Sequence, residues 1–277
     1  MTHPRTRRTR VAVAVVGAGK MGETLLAGLL RAGWPAGDLI ATVRREARGV
    51  ELAKRHGIDV VDNETAVERA DVIVLAVKPQ DMVALITGLG PRVPTGKLVV
   101  SIAAGIPTSF LERHLPVDTP VIRVMTNTPA LVDEAMSAIS AGAHAGPEHL
   151  DLAEQMLQPL GKTIRVPESQ QDAVTALSGS GPAYFYYLVE AMTDAGILLG
   201  LPRTVAHDLI VQSAIGAAVM LRDSGEHPVR LREAVTSPAG TTIAAIRELE
   251  NHRVRAAFLT ALEAARDCAR ELAADLA

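Results

Sequence analysis

The chain has 277 residues, of which 48% are hydrophobic and 3% aromatic, and its net charge is -3 at pH 7. This length suits one large domain or two ordinary ones, and the small negative charge gives no reason to expect a nucleic-acid partner. No run of about 18 uncharged apolar residues indicates a membrane span. The single cysteine, Cys268, excludes an internal disulfide and a thiolate metal site. We therefore expect a cytoplasmic protein, without metal, that binds neither nucleic acid nor membrane.

The chain opens with a basic segment and then turns apolar. Residues 1–10 contain four arginines and no apolar core, so they do not read as a secretory signal, and we interpret them as a disordered, solvated tail. Residues 11–16 are a run of valine and alanine, which is typical of a buried parallel strand. The first folded element is therefore predicted to begin at Val11.

A glycine motif follows this strand directly. It reads Gly-Ala-Gly-Lys-Met-Gly, and leucines at helical spacing come after it. Between a strand and a helix, the first glycine allows the tight turn, the second lets a pyrophosphate approach the backbone, and the third lets helix and strand pack closely. We predict a dinucleotide site that includes Gly17, Gly19, Lys20, Met21 and Gly22.

The second strand, residues 39–43, indicates which dinucleotide is bound. A site that prefers NADH usually places Asp or Glu at the end of this strand, where the carboxylate accepts a hydrogen bond from the ribose 2′-hydroxyl. This chain has Arg44 and Arg45 instead, and a pair of guanidinium groups suits a 2′-phosphate. NADPH is therefore the expected cofactor, with NADH as a weaker alternative.

Four more strands are predicted in the first half, at residues 71–77, 98–102, 121–125 and 163–166. They alternate with helical patterns, which indicates an α/β, Rossmann-like, doubly wound parallel sheet. Ligands of such sheets bind beyond the carboxyl ends of the strands. We therefore expect further cofactor contacts at the ends of these strands, from Ala76, Val77, Lys78, Pro79, Ala103, Ala104 and Asn127.

The second half of the chain differs in kind, since no convincing strand follows Asp172. Helical patterns are found at residues 203–221, 229–235, 242–249 and 255–276. Another helix starts at Pro182, which suits a first helical position. That helix is apolar on most faces, so we expect it to be buried all round, in part against a partner subunit.

These patterns divide the chain into three parts. After the tail of residues 1–10, we predict an NADP-binding Rossmann domain over residues 11–167. A smaller all-helical domain, which binds the substrate and forms the dimer, is predicted over residues 168–277.

Residues 234–243 form a candidate anion site between two helical patterns. Pro238 cannot continue a helix, and Gly240 lets backbone N–H groups come close to a ligand. Thr241 and Thr242 then place free N–H groups and two hydroxyls at a helix N-terminus, where the helix dipole also favours an anion such as a carboxylate. An ordinary, well-capped helix start would explain the same residues.

The helical half carries few groups for acid–base catalysis. It has no lysine, because the last one is Lys162, and its histidines lie in unrelated contexts, at His207, His227 and His252. A dehydrogenase of an alcohol needs a base to take the hydroxyl proton. A protonated imine is already electrophilic, so an imine reductase mainly has to hold its substrate against the nicotinamide and exclude water. The sequence thus favours reduction of a C=N bond.

Four blocks of the sequence resemble one enzyme family. Residues 235–243, Val-Thr-Ser-Pro-Ala-Gly-Thr-Thr-Ile, closely resemble the signature of pyrroline-5-carboxylate reductase. Residues 76–80, 123–130 and 177–184 resemble other blocks of that family, in the family's order along the chain. One departure is Ala239, where a second glycine is usual. Alanine should be tolerated there unless the residue needs a positive φ.

The resemblance implies the last step of proline synthesis, in which a hydride passes from NAD(P)H to the imine carbon of 1-pyrroline-5-carboxylate to give L-proline. It implies that the substrate carboxylate lies against Ser237, Gly240, Thr241 and Thr242, with Thr242 as the catalytic hydroxyl nearest the imine nitrogen. It implies that Asn63 contacts the adenosine side of the cofactor. It also implies an interlocked homodimer, with a decamer among the larger rings that such dimers form.

Other functions fit parts of this pattern. A β-hydroxyacid dehydrogenase shares the domain plan but would carry a catalytic lysine in its helical half, which this chain lacks. A reductase of another cyclic imine fits the same residues. A sensor that binds NADPH without turnover fits the cofactor motif, although it would not need the carboxylate loop.

Overall fold

The computed structural model describes residues 11–274. The predicted basic tail and the end of the last predicted helix lie outside the described residues. The chain divides into two compact units, of which the first runs to Gly179 and takes in the residues from Ala265 onward. The second unit is Ser180–Ala264. The domain boundary that we predict between residues 167 and 168 lies close to this division and stays a prediction.

In the described part of the chain, eight strands form one sheet in the first unit. They are β1 (Val13–Val16), β2 (Leu39–Thr42), β3 (Asp59–Val60), β4 (Val72–Leu75), β5 (Leu98–Ser101), β6 (Val121–Met125), β7 (Ala135–Ala141) and β8 (Gly161–Arg165). Their order in the sheet is β3-β2-β1-β4-β5-β6-β7-β8. All neighbouring pairs are parallel except β6 and β7, which are antiparallel.

This sheet confirms the predicted Rossmann-like fold with two corrections. Strands β3 and β7 are missing from the prediction, because β3 is very short and β7 is built mostly from alanine and serine, which have little β-propensity. The sheet is also not wholly parallel. Residues 126–134, which join β6 to β7, are fewer than the roughly a dozen that a parallel crossover needs, so the chain turns back on itself.

Six described helices of the first unit connect these strands, and a seventh follows β8. They are α1 (Lys20–Arg31), α2 (Glu46–His56), α3 (Asn63–Arg69), α4 (Pro79–Leu89), α5 (Thr108–Glu112), α6 (Pro147–Leu157) and α7 (Gln171–Val174). The described side chains pack into two apolar clusters, one on each face of the sheet. Strand β1 contributes Val13 and Val15 to one cluster and Ala14 and Val16 to the other, because alternate side chains of a strand face opposite ways. Burial on both faces explains why β1 is almost continuously apolar.

The second unit is helical throughout its described length, as predicted. It holds α8 (Gly181–Leu198), α9 (Arg203–Asp223), α10 (Pro228–Ala234), α11 (Thr241–Asn251) and the first part of α12 (Val254–Ala274). Pro182 is the second residue of α8 rather than the first. Helices α8 and α9 approach closely at Gly196, where an added Cβ would stand 2.6 Å from Cβ of Ala206.

Helix α8 is not buried within the single chain. Phe185 is 67% exposed, Tyr187 75% and Leu198 89%. The single chain therefore leaves much of this helix exposed, and its burial against a partner subunit stays a prediction.

Helix α9 also carries much of its apolar surface on the outside. Among the described helices, it is long and apolar enough to cross a membrane when judged by length and composition alone, and 6% of it is buried. An apolar helix that meets a partner subunit has the same composition, so this finding does not by itself indicate a membrane.

Candidate active site

Three glycines shape the turn between β1 and α1. Gly17 has a φ of +83°, and a Cβ on it would overlap Cγ1 of Val77. A Cβ on Gly22 would stand 2.9 Å from Cγ1 of Val15, so this glycine lets α1 pack on β1. Gly19 is different, because the nearest described heavy atom to its added Cβ is 3.9 Å away. The turn is thus closed at two glycines and open at the one where a pyrophosphate would approach.

The amino end of α1 offers hydrogen-bond donors at this opening. Gly19 is the N-cap of the helix, and no side chain of the described residues caps it. The first-turn N–H groups, including those of Lys20 and Met21, are therefore suited to an anion, with the helix dipole in support. Lys20 is exposed, whereas the Met21 side chain packs against the core.

Thr42, the last residue of β2, holds the glycine turn in place. Its carbonyl accepts a hydrogen bond from the N–H of Ala18 at 2.8 Å, and its Oγ1 accepts one from the N–H of Gly17 at 3.2 Å. The residue is 3% exposed. Sequence reasoning missed this residue, and the only signal for it was a hydroxyl side chain at the end of the second strand.

The other predicted cofactor residues of the first unit lie at the same edge of the sheet as the glycine turn. Strands β1 to β6 are mutually parallel, so their carboxyl ends share one edge, and these residues follow them along the chain. They are Asn63 at the start of α3, Ala76, Val77, Lys78 and Pro79 between β4 and α4, and Ala103 and Ala104 after β5. Their individual contacts with a cofactor stay a prediction.

Arg44 and Arg45 also lie at this edge, between the end of β2 and the start of α2. The Arg44 side chain is 86% exposed, and its Nη2 lies 3.5 Å from Oδ2 of Asp81 in α4. Arg45 is the exposed N-cap of α2, and within residues 11–274 no side chain caps that helix. Both guanidinium groups are therefore accessible where the 2′-phosphate is predicted.

A third arginine near this edge is bound within the protein. Arg48 forms ion pairs with Glu23 of α1 and Glu51 of α2, and Arg55 donates to the same Glu23 at 2.7 Å. Burial raises the pKa of the Glu23 carboxyl, but hydrogen bonds from His56, Arg48 and Arg55 outweigh it and lower that pKa to about 2. The network joins α1 to α2, and the sequence analysis did not anticipate it.

Asn127, which we predict to contact the cofactor, uses both ends of its amide within the protein. Its Nδ2 donates to the carbonyl of Ser178 at 3.1 Å, and its Oδ1 accepts from the N–H of Met136 at 3.1 Å. Ser178 belongs to a π-helical turn, Thr175–Gly179. Asn127 therefore fastens this turn to the end of β6, and a cofactor contact with its side chain would use the second Nδ2 hydrogen or the second lone pair of Oδ1.

In the second unit, a tight turn precedes α11. The N–H of Gly240 donates to the carbonyl of Ser237 at 3.1 Å, which closes the turn, and Ala239 has a φ of +56°. Gly240 is the N-cap of α11, and a Cβ on it would overlap Oγ of Ser237. In the described chain no side chain caps this helix, so its first N–H groups and the Ser237 hydroxyl lie together at an uncapped N-terminus.

The two threonines open α11 as predicted, one residue earlier than the predicted helix start. Thr241 is exposed and Thr242 is half-buried. The histidines of this unit have other surroundings. His227 is the N-cap of α10, where its Nδ1 accepts from the N–H of Val229 at 3.3 Å, and His207 and His252 are exposed.

Comparison with known proteins identifies the family. The family model for pyrroline-5-carboxylate reductase dimerisation matches residues 168–272, and the model for NADP oxidoreductase, coenzyme F420-dependent, matches residues 12–105. A pyrroline-5-carboxylate reductase of Corynebacterium melassecola is 44% identical over 264 residues, which covers 94% of this chain and 98% of that relative. This chain belongs to the pyrroline-5-carboxylate reductase family. A member from Methanosarcina acetivorans is 43% identical, with 94% and 97% of the two chains covered.

Solved structures of the family share the fold. The pyrroline-5-carboxylate reductase of Coxiella burnetii superposes with a TM-score of 0.90 at 34% identity, covering 95% of this chain and 98% of the other. The Plasmodium falciparum enzyme, whose structure has NADP bound, gives a TM-score of 0.85 at 26% identity, with 95% and 98% covered. Together with the open glycine turn, these matches support a nicotinamide dinucleotide as the cofactor. The dimerisation model supports self-association through the helical unit.

Proposed function

We propose that this protein reduces the C=N bond of 1-pyrroline-5-carboxylate to give L-proline, the last step of proline biosynthesis, with NADPH as the hydride donor. Membership of the family supports the reaction, because relatives that match nearly the whole chain carry that enzyme name. The observation in the structure that carries the proposal is the uncapped N-terminus of α11, closed on one side by the Ser237–Gly240 turn.

The substrate carboxylate is proposed to bind at this N-terminus. The N–H groups of Thr241 and Thr242 and the hydroxyl of Ser237 supply donors, and the helix dipole favours the negative charge. Gly240 suits this site because a Cβ there would displace the Ser237 hydroxyl from its position. In an ordinary helix start a side-chain cap would occupy one of these donors, and this helix has no such cap among the described residues.

The chemistry then needs little from the protein beyond positioning. When bound, the reduced nicotinamide supplies a hydride to the imine carbon, the C=N bond becomes a single bond, and the nitrogen keeps the proton that made the imine electrophilic. Thr242 is the proposed hydrogen-bond partner of that nitrogen, because its hydroxyl stands in the first turn of α11 and is half-buried. A strong base is not required, which agrees with a helical half that lacks lysine.

The proposed preference for NADPH over NADH depends on Arg44 and Arg45. Both are exposed at the carboxyl edge of the sheet, after the strand whose end reads the ribose. Arg48 is not available for this role because Glu23 and Glu51 hold it. Two accessible guanidinium groups suit a dianionic phosphate better than a hydroxyl.

The proposed assembly is an interlocked homodimer, and dimers of this kind could assemble further into a decamer. The exposed aromatic and aliphatic side chains of α8, together with the apolar α9, support burial of the helical unit against a second copy. We also propose a cytoplasmic location, in keeping with a single, exposed cysteine. No role for a metal, a nucleic acid or a membrane is part of this proposal.

The experiment that tests the reaction is oxidation of NADPH by the purified protein with 1-pyrroline-5-carboxylate, alongside NADH and a control without the imine. Imine-dependent oxidation that yields proline is the expected result. Oxidation with a different cyclic imine but not with this one would replace the proposed substrate. NADPH binding without any oxidation would instead favour a sensor that binds the dinucleotide.

A further inference from the structure

The two arginines after β2 occupy different surroundings, although they are neighbours in sequence. Arg44 lies 3.5 Å from Asp81, the third residue of α4. In the sheet, β1 lies between β2 and β4, and all three strands are parallel. The Arg44–Asp81 pair therefore crosses the carboxyl end of β1, outside the glycine turn. Because the Arg44 side chain is 86% exposed, this crossing lies on the open side of the edge.

Within residues 11–274, Arg45 has no such partner across the sheet edge, and it occupies the N-cap of α2. That helix has 11 residues and, among the described residues, receives no side-chain cap. Its free first-turn N–H groups and the Arg45 guanidinium therefore form one anion-binding corner at the end of β2. A ribose 2′-phosphate at the end of this strand would meet that corner directly.

We propose that Asp81 is a positioning residue that holds Arg44 across the adenosine half of the bound dinucleotide. This proposal narrows the 2′-phosphate contact, assigned above to both arginines, to Arg45 at the amino end of α2. This inference rests on the proposed function, since it requires the dinucleotide to lie at this edge with its pyrophosphate at Gly19. In that arrangement Arg44, held by Asp81, would contact the adenine side of the dinucleotide. A guanidinium plane stacks well on the face of an aromatic ring, and a carboxylate that fixes one edge of the plane keeps it there.

The two roles predict different selectivity. Contact with adenine is the same in NADPH and NADH. Loss of Arg44 should therefore lower the binding affinity for both dinucleotides by the same factor, about fivefold for a partly exposed stacking contact. Contact with the 2′-phosphate exists only in NADPH, so loss of Arg45 weakens NADPH by about tenfold or more and leaves NADH within about twofold. Asp81 acts only through Arg44, and an exposed ion pair of this kind is worth about two- to threefold in affinity.

The test is direct binding of NADPH and of NADH to the full-length protein, by titration calorimetry, for Arg44→Ala, Arg45→Ala, Asp81→Asn and the double variant Arg44→Ala/Asp81→Asn. Asp81→Asn should weaken both dinucleotides in the presence of Arg44 and have no effect in its absence. Asp151→Asn is the matched control: it also removes one negative charge from the surface of the first unit, but Asp151 pairs with Arg165 of β8, at the far side of the sheet. It should leave both affinities unchanged.

Several results would overturn this inference. Tighter NADPH binding by Asp81→Asn would mean that Asp81 competes with the phosphate for Arg44. A loss confined to NADPH in Arg44→Ala, or an effect of Asp81→Asn that persists without Arg44, would equally contradict it. Each of these leaves the proposed function intact, because the wild-type protein still binds NADPH. Absence of NADPH binding by the wild-type protein would overturn both.

Discussion

The N–H of Gly240 donates to the carbonyl of Ser237 at 3.1 Å, and the turn that this bond closes holds Ala239 at a φ of +56°. The turn needs space beside residue 240 and a positive φ at residue 239, and the sequence suits the first need better than the second. Gly240 leaves room for the Ser237 hydroxyl, which a Cβ at this position would displace. Ala239 occupies the left-handed region, which costs an alanine about 1 kcal/mol. The condition under which alanine would not be neutral at this position, a positive φ, is therefore fulfilled.

Ala239→Gly should raise the free energy of unfolding by about 0.5–1 kcal/mol, because glycine adopts a positive φ without the clash of a Cβ. Urea denaturation at fixed protein concentration measures the change. Ala244→Gly, in the exposed interior of α11, is the control and should lower stability by about 1 kcal/mol. A lower stability for Ala239→Gly would show that the methyl group makes contacts worth more than the backbone strain.

Gly19→Ala should leave the fold intact and weaken dinucleotide binding by about tenfold or more. The added Cβ meets no described atom closer than 3.9 Å, and the backbone at Gly19 has a φ of −75°, which alanine adopts readily. The methyl group would occupy the space into which the pyrophosphate must come. Thermal unfolding and NADPH titration separate the two effects.

Gly88→Ala is a suitable comparison for that variant, because a Cβ on Gly88 also meets open space but lies toward the end of α4. It should keep the NADPH affinity, and its stability should be unchanged or slightly higher because alanine is the better helix former. If Gly19→Ala binds NADPH with unchanged affinity, the pyrophosphate does not bind at this turn.

Thr242→Ala should lower kcat by about 100-fold while the Kd for NADPH changes less than about twofold. The reason is that the hydroxyl is proposed to meet the imine nitrogen, where the charge changes during hydride transfer. Thr242→Ser, which keeps the hydroxyl, should recover most of the activity. An equal loss of turnover and NADPH binding, with a lower melting temperature, would instead indicate that Thr242 only starts the helix.

Glu23→Gln should lower the free energy of unfolding at pH 7 by about 2 kcal/mol, because Arg48, Arg55 and His56 lose their shared carboxylate. The pKa of Glu23 is about 2 in the folded chain and ordinarily 4.5. The stabilisation that ionised Glu23 gives the folded protein is therefore complete above pH 4.5, and it disappears as the pH falls toward 2. The difference between the two proteins should shrink over this range, and a constant difference would mean that the charge of Glu23 is not what stabilises the network.

Local patterns predicted most of the dinucleotide-binding unit. The apolar run at β1 and the glycines after it indicate a strand, a turn and a helix because each depends on neighbours in the chain. Strand β7 escaped prediction, since its alanines and serines gain their β-structure from pairing with β6. The roles of Thr42 and Glu23 were not predicted because they too depend on distant residues: their hydrogen-bond partners lie about 25 to 33 residues away in the sequence.

By itself, the sequence determined the Rossmann-like plan, the helical second half and the family, because periodicity, glycine spacing and four ordered blocks are properties of short segments. The tertiary structure decided what those residues face. It gave Ala239 a positive φ, engaged both ends of the Asn127 amide, and placed Arg44 beside Asp81 while Arg45 occupies the N-cap position of α2. Such relationships depend on which distant elements pack together, and a side chain's partners across a sheet edge leave no periodic trace along the chain.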